Sequence, residues 1–142
     1  WMPCYRCEVE ARVVWRNALA TRSGPQGKPS YTRLRVLAHA SHRKDAVSLV
    51  AIRIVTGRRH QIRSHASHIG HPTWSDGKYT APATLRSDVE LCTWNFLHRY
   101  RLAFHDGAGS AHEVLMSLPP HLANALQQLV GKDMQSSRVL CC

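Results

Sequence analysis

The sequence is poor in acidic residues, above all in its first half. The 142 residues contain nine Asp and Glu against 19 Lys and Arg, so the formal net charge is +10. Residues 11–75 include ten arginines and two lysines but a single acid, Asp45. Arginine outnumbers lysine 15 to 4, and its planar guanidinium can pair with phosphate oxygens two at a time. The charge balance therefore favours a nucleic acid as partner over a merely solvated basic surface.

Several features that define other classes of protein are missing. No apolar run approaches the roughly 20 residues of a membrane-spanning helix, and there is no long basic amphipathic helix for a membrane surface. A membrane partner is therefore not expected. The sequence also contains no GxSxG, Walker or GxGxxG motif, so acyl transfer and nucleotide chemistry have no support from motifs.

Cysteines are few and odd in number, which argues against a disulfide framework. The five are Cys4, Cys7, Cys92, Cys141 and Cys142. We expect a reducing intracellular compartment, and cytoplasm, nucleus and organelle all remain open. Cys4 and Cys7 lack a second pair at the spacing that a zinc ribbon needs.

Three histidines at intervals of three, His65, His68 and His71, could nearly share a helix face. No carboxylate supports them as metal ligands, and the nearby arginines would oppose a cation. We therefore predict no metal site, although a histidine-rich metal protein is a weak alternative.

Hydrophobic periodicity predicts an α+β domain with a mainly antiparallel sheet and short helices. Alternation predicts strands over residues 8–15, 31–37, 48–55 (the central strand), 95–104 and 113–118. Residues 38–47 are expected to form a polar loop at the basic tip of a hairpin. Helical spacing predicts helices over residues 60–69, ended by Gly70, and from Pro119 onward. Residues 76–86 are expected to be a loop, and residues 132–142 a frayed tail.

The densest motif runs from Thr56 to Tyr79, TGRRHQIRSHASHIGHPTWSDGKY. It resembles the RluA branch of RNA pseudouridine synthases, whose pattern is approximately TGR-x-HQIR-x-H, then IGHP, then GD-x-x-Y. The resemblance extends from Gly27 to Val130, through residues 27–32 before the motif and through an LH-x-x-x-L-x-F strand from Leu97 to Phe104. Residues matching the motif with an expected structural role are Gly57, Gln61, Gly70, Pro72, Asp76 and Tyr79.

This resemblance implies the isomerisation of uridine to pseudouridine in RNA (rRNA or tRNA), with no cofactor or metal. In the family an aspartate is the nucleophile, and the arginine of HQIR, here Arg63, pairs with it. A guanidinium suits that role, because it keeps a carboxylate ionised in a pocket that excludes water. The expected RNA-binding residues are Arg33, Arg35, Arg58, Arg59, His60 and Lys78.

The departures from the family pattern are as informative as the match. No HRLD-type motif, which carries the family's nucleophile, is present in these residues, and Ser75 replaces the glycine of GD-x-x-Y. We therefore expect residues 27–131 to be the C-terminal half of the catalytic domain and residues 1–26 to end the preceding half. The expected partner is that missing N-terminal half, without which the chain would be inactive. The alternative is a catalytically inactive relic of the fold that binds RNA or a ribonucleoprotein.

Overall fold

The computed structural model describes residues 13–15 and 30–141. The strands are β1 (Val13–Trp15), β2 (Ser30–His42), β3 (Asp45–Ile54), β4 (Arg101–His105), β5 (Ala111–Leu115) and β6 (Val130–Gly131). The helices are α1 (Gln61–His68), α2 (Pro82–Leu91), α3 (Pro120–Gln127) and α4 (Met134–Leu140). The predicted α+β class with antiparallel sheets is confirmed.

The larger sheet is organised around β2, because this 13-residue strand pairs with three others, all antiparallel. β3 pairs along one side of β2, while β1 and β6 pair with the two ends of its other side. The prediction that residues 48–55 form the central strand is therefore wrong. Among the described strands, β3 lies at the edge of this sheet.

The hairpin of β2 and β3 is longer than the sequence predicts. The predicted loop over residues 38–47 is wrong, since both strands continue to a tight turn at Arg43 and Lys44. Ala38 and Ala40 are 2% and 0% exposed, so these small apolar residues supply the buried face that extends the ladder. The basic tip itself is as predicted.

Helix α1 begins and ends within one residue of its predicted bounds. Gly70 has φ +82°, the left-handed conformation that glycine adopts readily. The amides of Gly70 and His71 donate to the carbonyls of Ser67 and Ala66, which is the Schellman arrangement. The cap ends α1 and turns the chain back along the helix toward Asp76.

The C-terminal tail is helical, so the prediction of a frayed tail is wrong. Asp133 caps α4 by accepting from the amide of Ser136 at 2.7 Å, a role that aspartate fills well. Leu140 packs with Ala38 and Ala40 in the core of the larger sheet. Gly131 lies so close to α4 that a Cβ there would be 2.5 Å from the Ser137 amide nitrogen.

Two further predictions fail in the second half of the chain. Residues 82–91 form α2 rather than a loop, because Pro82 occupies the first turn, where a helix tolerates proline. The strand predicted over residues 95–104 is confined to Arg101–His105. Residues 95 and 96 instead lie beside the loop at Trp74, because the Trp74 carbonyl accepts a hydrogen bond from the Phe96 amide.

Strands β4 and β5 form a separate two-stranded sheet, which we call the ribbon (residues 101–115). Every residue of both strands is exposed. The pairing of Leu102 with Val114 and of Phe104 with His112 places these four side chains on one face. Three of these four side chains are apolar, so the ribbon presents a largely apolar face to solvent.

Candidate functional site

Gln61 connects the start of α1 to the larger sheet. Its side chain is 4% exposed and makes four hydrogen bonds. The Nε2 group donates to the Tyr31 carbonyl at 2.8 Å and to the Thr32 hydroxyl at 3.1 Å. The Oε1 atom accepts from the Thr56 hydroxyl and the Arg58 amide. The loop that precedes α1 is thus held against β2 by a single buried amide.

Arg63, half a turn further along α1, forms a two-point ion pair with Asp76. Its Nε donates to Oδ2 at 2.7 Å, and its Nη2 donates to Oδ1 at 2.6 Å. The Asp76 side chain is fully buried, and the Arg63 side chain is 24% exposed. The guanidinium is therefore fixed in orientation, and the Arg63 side chain remains partly exposed.

Asp76 has no capacity left for another partner. Besides the two Arg63 donors, it accepts from the Thr73 hydroxyl and from the amides of Lys78 and Tyr79. These five donors occupy the roughly four lone-pair directions of a carboxylate. A buried, saturated carboxylate cannot reach a substrate, so Asp76 serves as an anchor for Arg63 and for the turn.

The electrostatics of the pair favour the charged form of both partners. Burial alone would raise the pKa of Asp76, but the hydrogen bonds from Arg63, the Lys78 amide and Thr73 outweigh it, and the net pKa is lowered. The hydrogen bond to Asp76 raises the pKa of Arg63. Both shifts keep the pair ionised.

His60 and Tyr79 complete the cluster beside this ion pair. His60 Nε2 lies 3.4 Å from Arg63 Nη1, and His60 Nδ1 lies 3.3 Å from the Tyr79 hydroxyl. The Arg63 guanidinium carbon and the Lys78 ammonium lie 5.4 Å and 5.6 Å from the centre of the Tyr79 ring, within cation–π range. Residues from the two ends of the motif thus bring together two cations, an imidazole and a phenol.

Comparison with known proteins shows which family this chain resembles. The family model for RNA pseudouridylate synthases matches residues 8–68. Ribosomal large subunit pseudouridine synthase C of Vibrio cholerae is 34% identical over 130 residues, which cover 87% of this chain and 39% of that protein. The protein of the same name from Escherichia coli K12 is 36% identical over 112 residues, covering 76% and 34%. These matches support the RluA-type RNA pseudouridine synthase family for this chain.

A solved structure agrees with this assignment to the pseudouridine synthases. Human RNA Pseudouridylate Synthase Domain Containing 1 superposes with a TM-score of 0.65 at 25% identity, covering 94% of this chain and 59% of that one. The chain spans about two fifths of the length of the curated relatives named above. The fold is therefore that of part of a pseudouridine synthase.

The predicted RNA-binding residues fall into two groups. Arg58, Arg59 and His60 lie in the loop before α1, and Lys78 lies in the turn after Asp76. His60 is close enough to feel the charges of Arg59, Lys78 and the Arg63–Asp76 pair. Arg33 and Arg35 lie on β2, with Thr32 and Ser30 of the same strand turned toward His65 of α1. Because side chains alternate along a strand, the two arginines occupy the opposite face, so the structure does not bring all six together.

The remaining motif residues serve the turns around the site. Gly57 and Pro72 lie in the segments that enter and leave the α1 region. Ser75, which replaces the family's glycine, takes up the left-handed conformation itself at φ +57°. Its amide donates to Asp88, and its hydroxyl donates to the carbonyl of Cys92. The turn is kept, and these two bonds compensate for the strain of a non-glycine residue.

The histidines at intervals of three do not converge. His65 is 4% exposed and contacts the hydroxyls of Thr32 at 2.8 Å and Ser30 at 3.1 Å, whereas His68 and His71 are exposed. Across residues 30–141, no three His, Cys, Asp or Glu side chains form a group able to hold a metal ion. His65 is thus a buried packing residue whose pKa is lowered, chiefly by burial. The Cys4–Cys7 pair lies outside the described residues.

Two roles were missed by reasoning from the sequence. Asp76 was expected to be structural, but nothing in a separation of 13 residues indicates that it pairs with Arg63. The hydrogen bonds from His65 to β2 are equally hidden from the sequence, because Thr32 and Ser30 lie more than 30 residues away.

In the described part of the chain, no helix is long and apolar enough to cross a membrane.

Proposed function

We propose that this chain is the C-terminal part of the catalytic domain of an RNA pseudouridine synthase. Its relatives in Vibrio cholerae and Escherichia coli are named as ribosomal large subunit pseudouridine synthases, which favours RNA, and rRNA in particular, as the substrate. The proposed reaction breaks the bond between N1 of uracil and C1′ of ribose and joins C5 to C1′. N1 gains a proton and C5 loses one, so the product is an isomer.

The observation that carries this proposal is the fixed guanidinium on the partly exposed side chain of Arg63. Asp76 fixes it through Nε and Nη2, and its Nη1 faces the His60 side of the cluster. A second carboxylate approaching that side would be stabilised in its charged form by a guanidinium that cannot rotate away. Arg63 is thus the proposed partner of a nucleophilic aspartate contributed by residues outside this chain.

The site within this chain does not supply that nucleophile. Asp76 is the carboxylate nearest to Arg63 and is both buried and saturated. The sequence of 142 residues contains no HRLD-type segment. We therefore propose that the chain by itself binds RNA without isomerising it, and that activity requires the preceding half of the domain.

The ribbon, and the edge position of β3 among the described strands, support the proposal of a missing half. Tyr100, Leu102, Phe104, Val114 and Met116 are each at least 42% exposed, and a two-stranded sheet is marginally stable in water without packing. Because the chain covers only 59% of the matching human structure, the remaining part of such a domain is the proposed partner for these surfaces. Partner and chain would then share one core.

The test uses a longer protein that contains a preceding half with an HRLD-type motif. Release of tritium from C5 of labelled uridine in rRNA measures turnover, since C5 loses its hydrogen. We expect Arg63→Ala to lower turnover by about 100-fold or more, as for removal of other preorganised charged groups. Arg63→Lys keeps the charge but not the two-point geometry, and should also be strongly impaired.

The matched control is Arg138→Ala, which removes an exposed arginine from α4 and should leave turnover near that of the unaltered protein. Circular dichroism establishes that each variant is folded. A folded Arg63→Ala protein with near-normal turnover would refute the proposed role of Arg63.

A non-catalytic RNA-binding function is the second candidate, favoured by the saturation of Asp76. Under this function no form of the protein would isomerise uridine, while RNA binding would persist and weaken steeply with salt. Tritium release by the longer protein excludes it. Salt-dependent binding without any release supports it.

A further inference from the structure

His60 has an unusual backbone for a residue that is not glycine. Its φ of 56° and ψ of 18° place it in the left-handed region, where histidine, asparagine and aspartate are the commoner exceptions. It stands at the N-cap of α1, yet its side chain makes no capping hydrogen bond. The imidazole is directed instead to Arg63 and Tyr79, which suggests that the strained position serves those contacts.

The chemistry of the three groups fixes where the protons lie. A guanidinium can only donate, so Arg63 Nη1 donates and His60 Nε2 accepts. A neutral imidazole that accepts at Nε2 carries its hydrogen on Nδ1. Nδ1 therefore donates to the Tyr79 hydroxyl, and that hydroxyl must direct its own proton elsewhere.

The charges around His60 agree with a neutral ring. Partial burial lowers its pKa, and the positive charges of Arg63, Lys78 and Arg59 lower it further against a smaller opposing effect of Asp76. Among the described residues, His60 is the hydrogen-bond partner of the Tyr79 hydroxyl. The phenolic proton is thus available beside two cations, Arg63 and Lys78.

We infer that His60 is a positioning residue that orients the Tyr79 hydroxyl as a hydrogen-bond donor to an oxygen of the bound RNA. That oxygen belongs either to a uracil carbonyl or to a phosphate, since both are acceptors that benefit from nearby positive charge. This inference rests on the proposed RNA-binding function and adds a contact to it. Tyr79 touches the RNA, and His60 acts through Tyr79.

The first experiment determines the tautomer of His60 in the 142-residue chain. Nitrogen-15 NMR of the imidazole at neutral pH should show a neutral ring with its hydrogen on Nδ1. A hydrogen on Nε2 alone would overturn the inference, because Nδ1 would then accept the Tyr79 proton and could not direct it to RNA. A protonated ring would overturn it because Nε2 could not then accept from Arg63. The Tyr79→Phe variant identifies the affected resonance, since it removes the acceptor of Nδ1.

The second experiment measures binding of fluorescein-labelled oligouridylate by anisotropy. Tyr79→Phe removes only the hydroxyl, and His60→Asn keeps a residue that tolerates the left-handed backbone. Each variant should weaken binding about fivefold, which corresponds to the loss of one hydrogen bond. The double variant should bind no more weakly than either single variant, because His60 acts through Tyr79. The control Tyr100→Phe, on the exposed segment before β4, should bind like the unaltered chain.

An abasic ribose-phosphate oligomer of equal length distinguishes the two acceptors. A loss seen with oligouridylate alone assigns the contact to a uracil carbonyl, and an equal loss with both probes assigns it to a phosphate. RNA binding that is unchanged in Tyr79→Phe overturns the inference but leaves the proposed function intact. A chain that binds neither probe overturns both.

Discussion

The motif region (residues 56–80) and the ribbon (residues 101–115) differ in which side chains they bury. The motif region is polar, yet Gln61, His65 and Asp76 are 4%, 4% and 0% exposed, and each makes two or more hydrogen bonds to other parts of the chain. The ribbon carries large apolar side chains that remain open to solvent. Gln61, His65 and Asp76 thus have their hydrogen-bond partners, some of them on β2, whereas the apolar face of the ribbon is uncovered among the described residues. Trp74 Nε1 and Thr80 Oγ1 are the exceptions in the motif region, since both are buried without a partner among the described residues.

This contrast separates geometry that the chain sets by itself from geometry that it does not. Buried polar networks with every partner present define one arrangement of side chains. An exposed apolar face has no such constraint, and its energy depends on what covers it. The proposed catalytic guanidinium is therefore preset within these residues, while the ribbon is the part that a further segment would alter.

The largest expected effect comes from breaking the buried ion pair. Asp76→Ala removes one partner and leaves Arg63 with an uncompensated charge, which typically costs about 3 to 5 kcal/mol. Urea denaturation of the 142-residue chain, followed by circular dichroism, measures the free energy of unfolding.

The ribbon offers the matched control, because Arg101 and Glu113 also form an ion pair but are 53% and 46% exposed. Glu113→Ala should cost no more than about 1 kcal/mol. Equal losses in the two variants would mean that the motif region is not the more constrained of the two.

The next effect concerns Gln61. Replacing it by Leu removes all four hydrogen bonds of its side chain and leaves the buried Thr32 hydroxyl and the Tyr31 carbonyl without this donor. We expect a loss of about 2 kcal/mol, within the range for buried polar groups that lose their partners. The exposed Gln128, which makes one weak contact to the Asn124 carbonyl, is the control, and Gln128→Leu should change stability by less than about 0.5 kcal/mol.

Stability should also fall in mild acid because of His65. Burial lowers its pKa from an ordinary value of 6.5, so the unfolded chain binds a proton that the folded chain resists. The stability that neutral His65 contributes is complete above pH 6.5 and is lost as the pH falls from 6.5 toward the lower pKa of the folded state. Urea denaturation at about pH 7.5 and about pH 5.5 measures the difference.

His60, whose pKa is also lowered, contributes in the same direction. The variant His65→Asn should therefore reduce the dependence on pH without abolishing it, and adding His60→Asn should reduce it further. An unchanged dependence in the double variant would contradict both assignments.

The sequence predicts the elements of the site better than its contacts. The start and end of α1 follow from the spacing of its apolar residues and from Gly70, which are local signals. The pairing of Arg63 with Asp76 and of His65 with Thr32 joins residues 13 and 33 positions apart, and no local pattern encodes such contacts. The helical tail has one local signal in the sequence, since Asp133 precedes Ser136 by three residues, the spacing of a helix cap.

The smallest effect on stability, and the one that tests the ribbon directly, comes from Phe104→Ser. Phe104 is 45% exposed and stacks on His112, whose ring lies 5.3 Å away, so its removal should change the free energy of unfolding by less than about 0.5 to 1 kcal/mol. It should nevertheless reduce binding of a hydrophobic dye and self-association in light scattering, because the apolar face is interrupted. Leu115→Ser is the control, since Leu115 is 67% exposed but lies on the other face, with Arg101. If Phe104→Ser unfolded the chain while Leu115→Ser did not, the apolar face would be stabilising these residues already, and the contrast between the hydrogen-bonded motif region and the uncovered ribbon would fail.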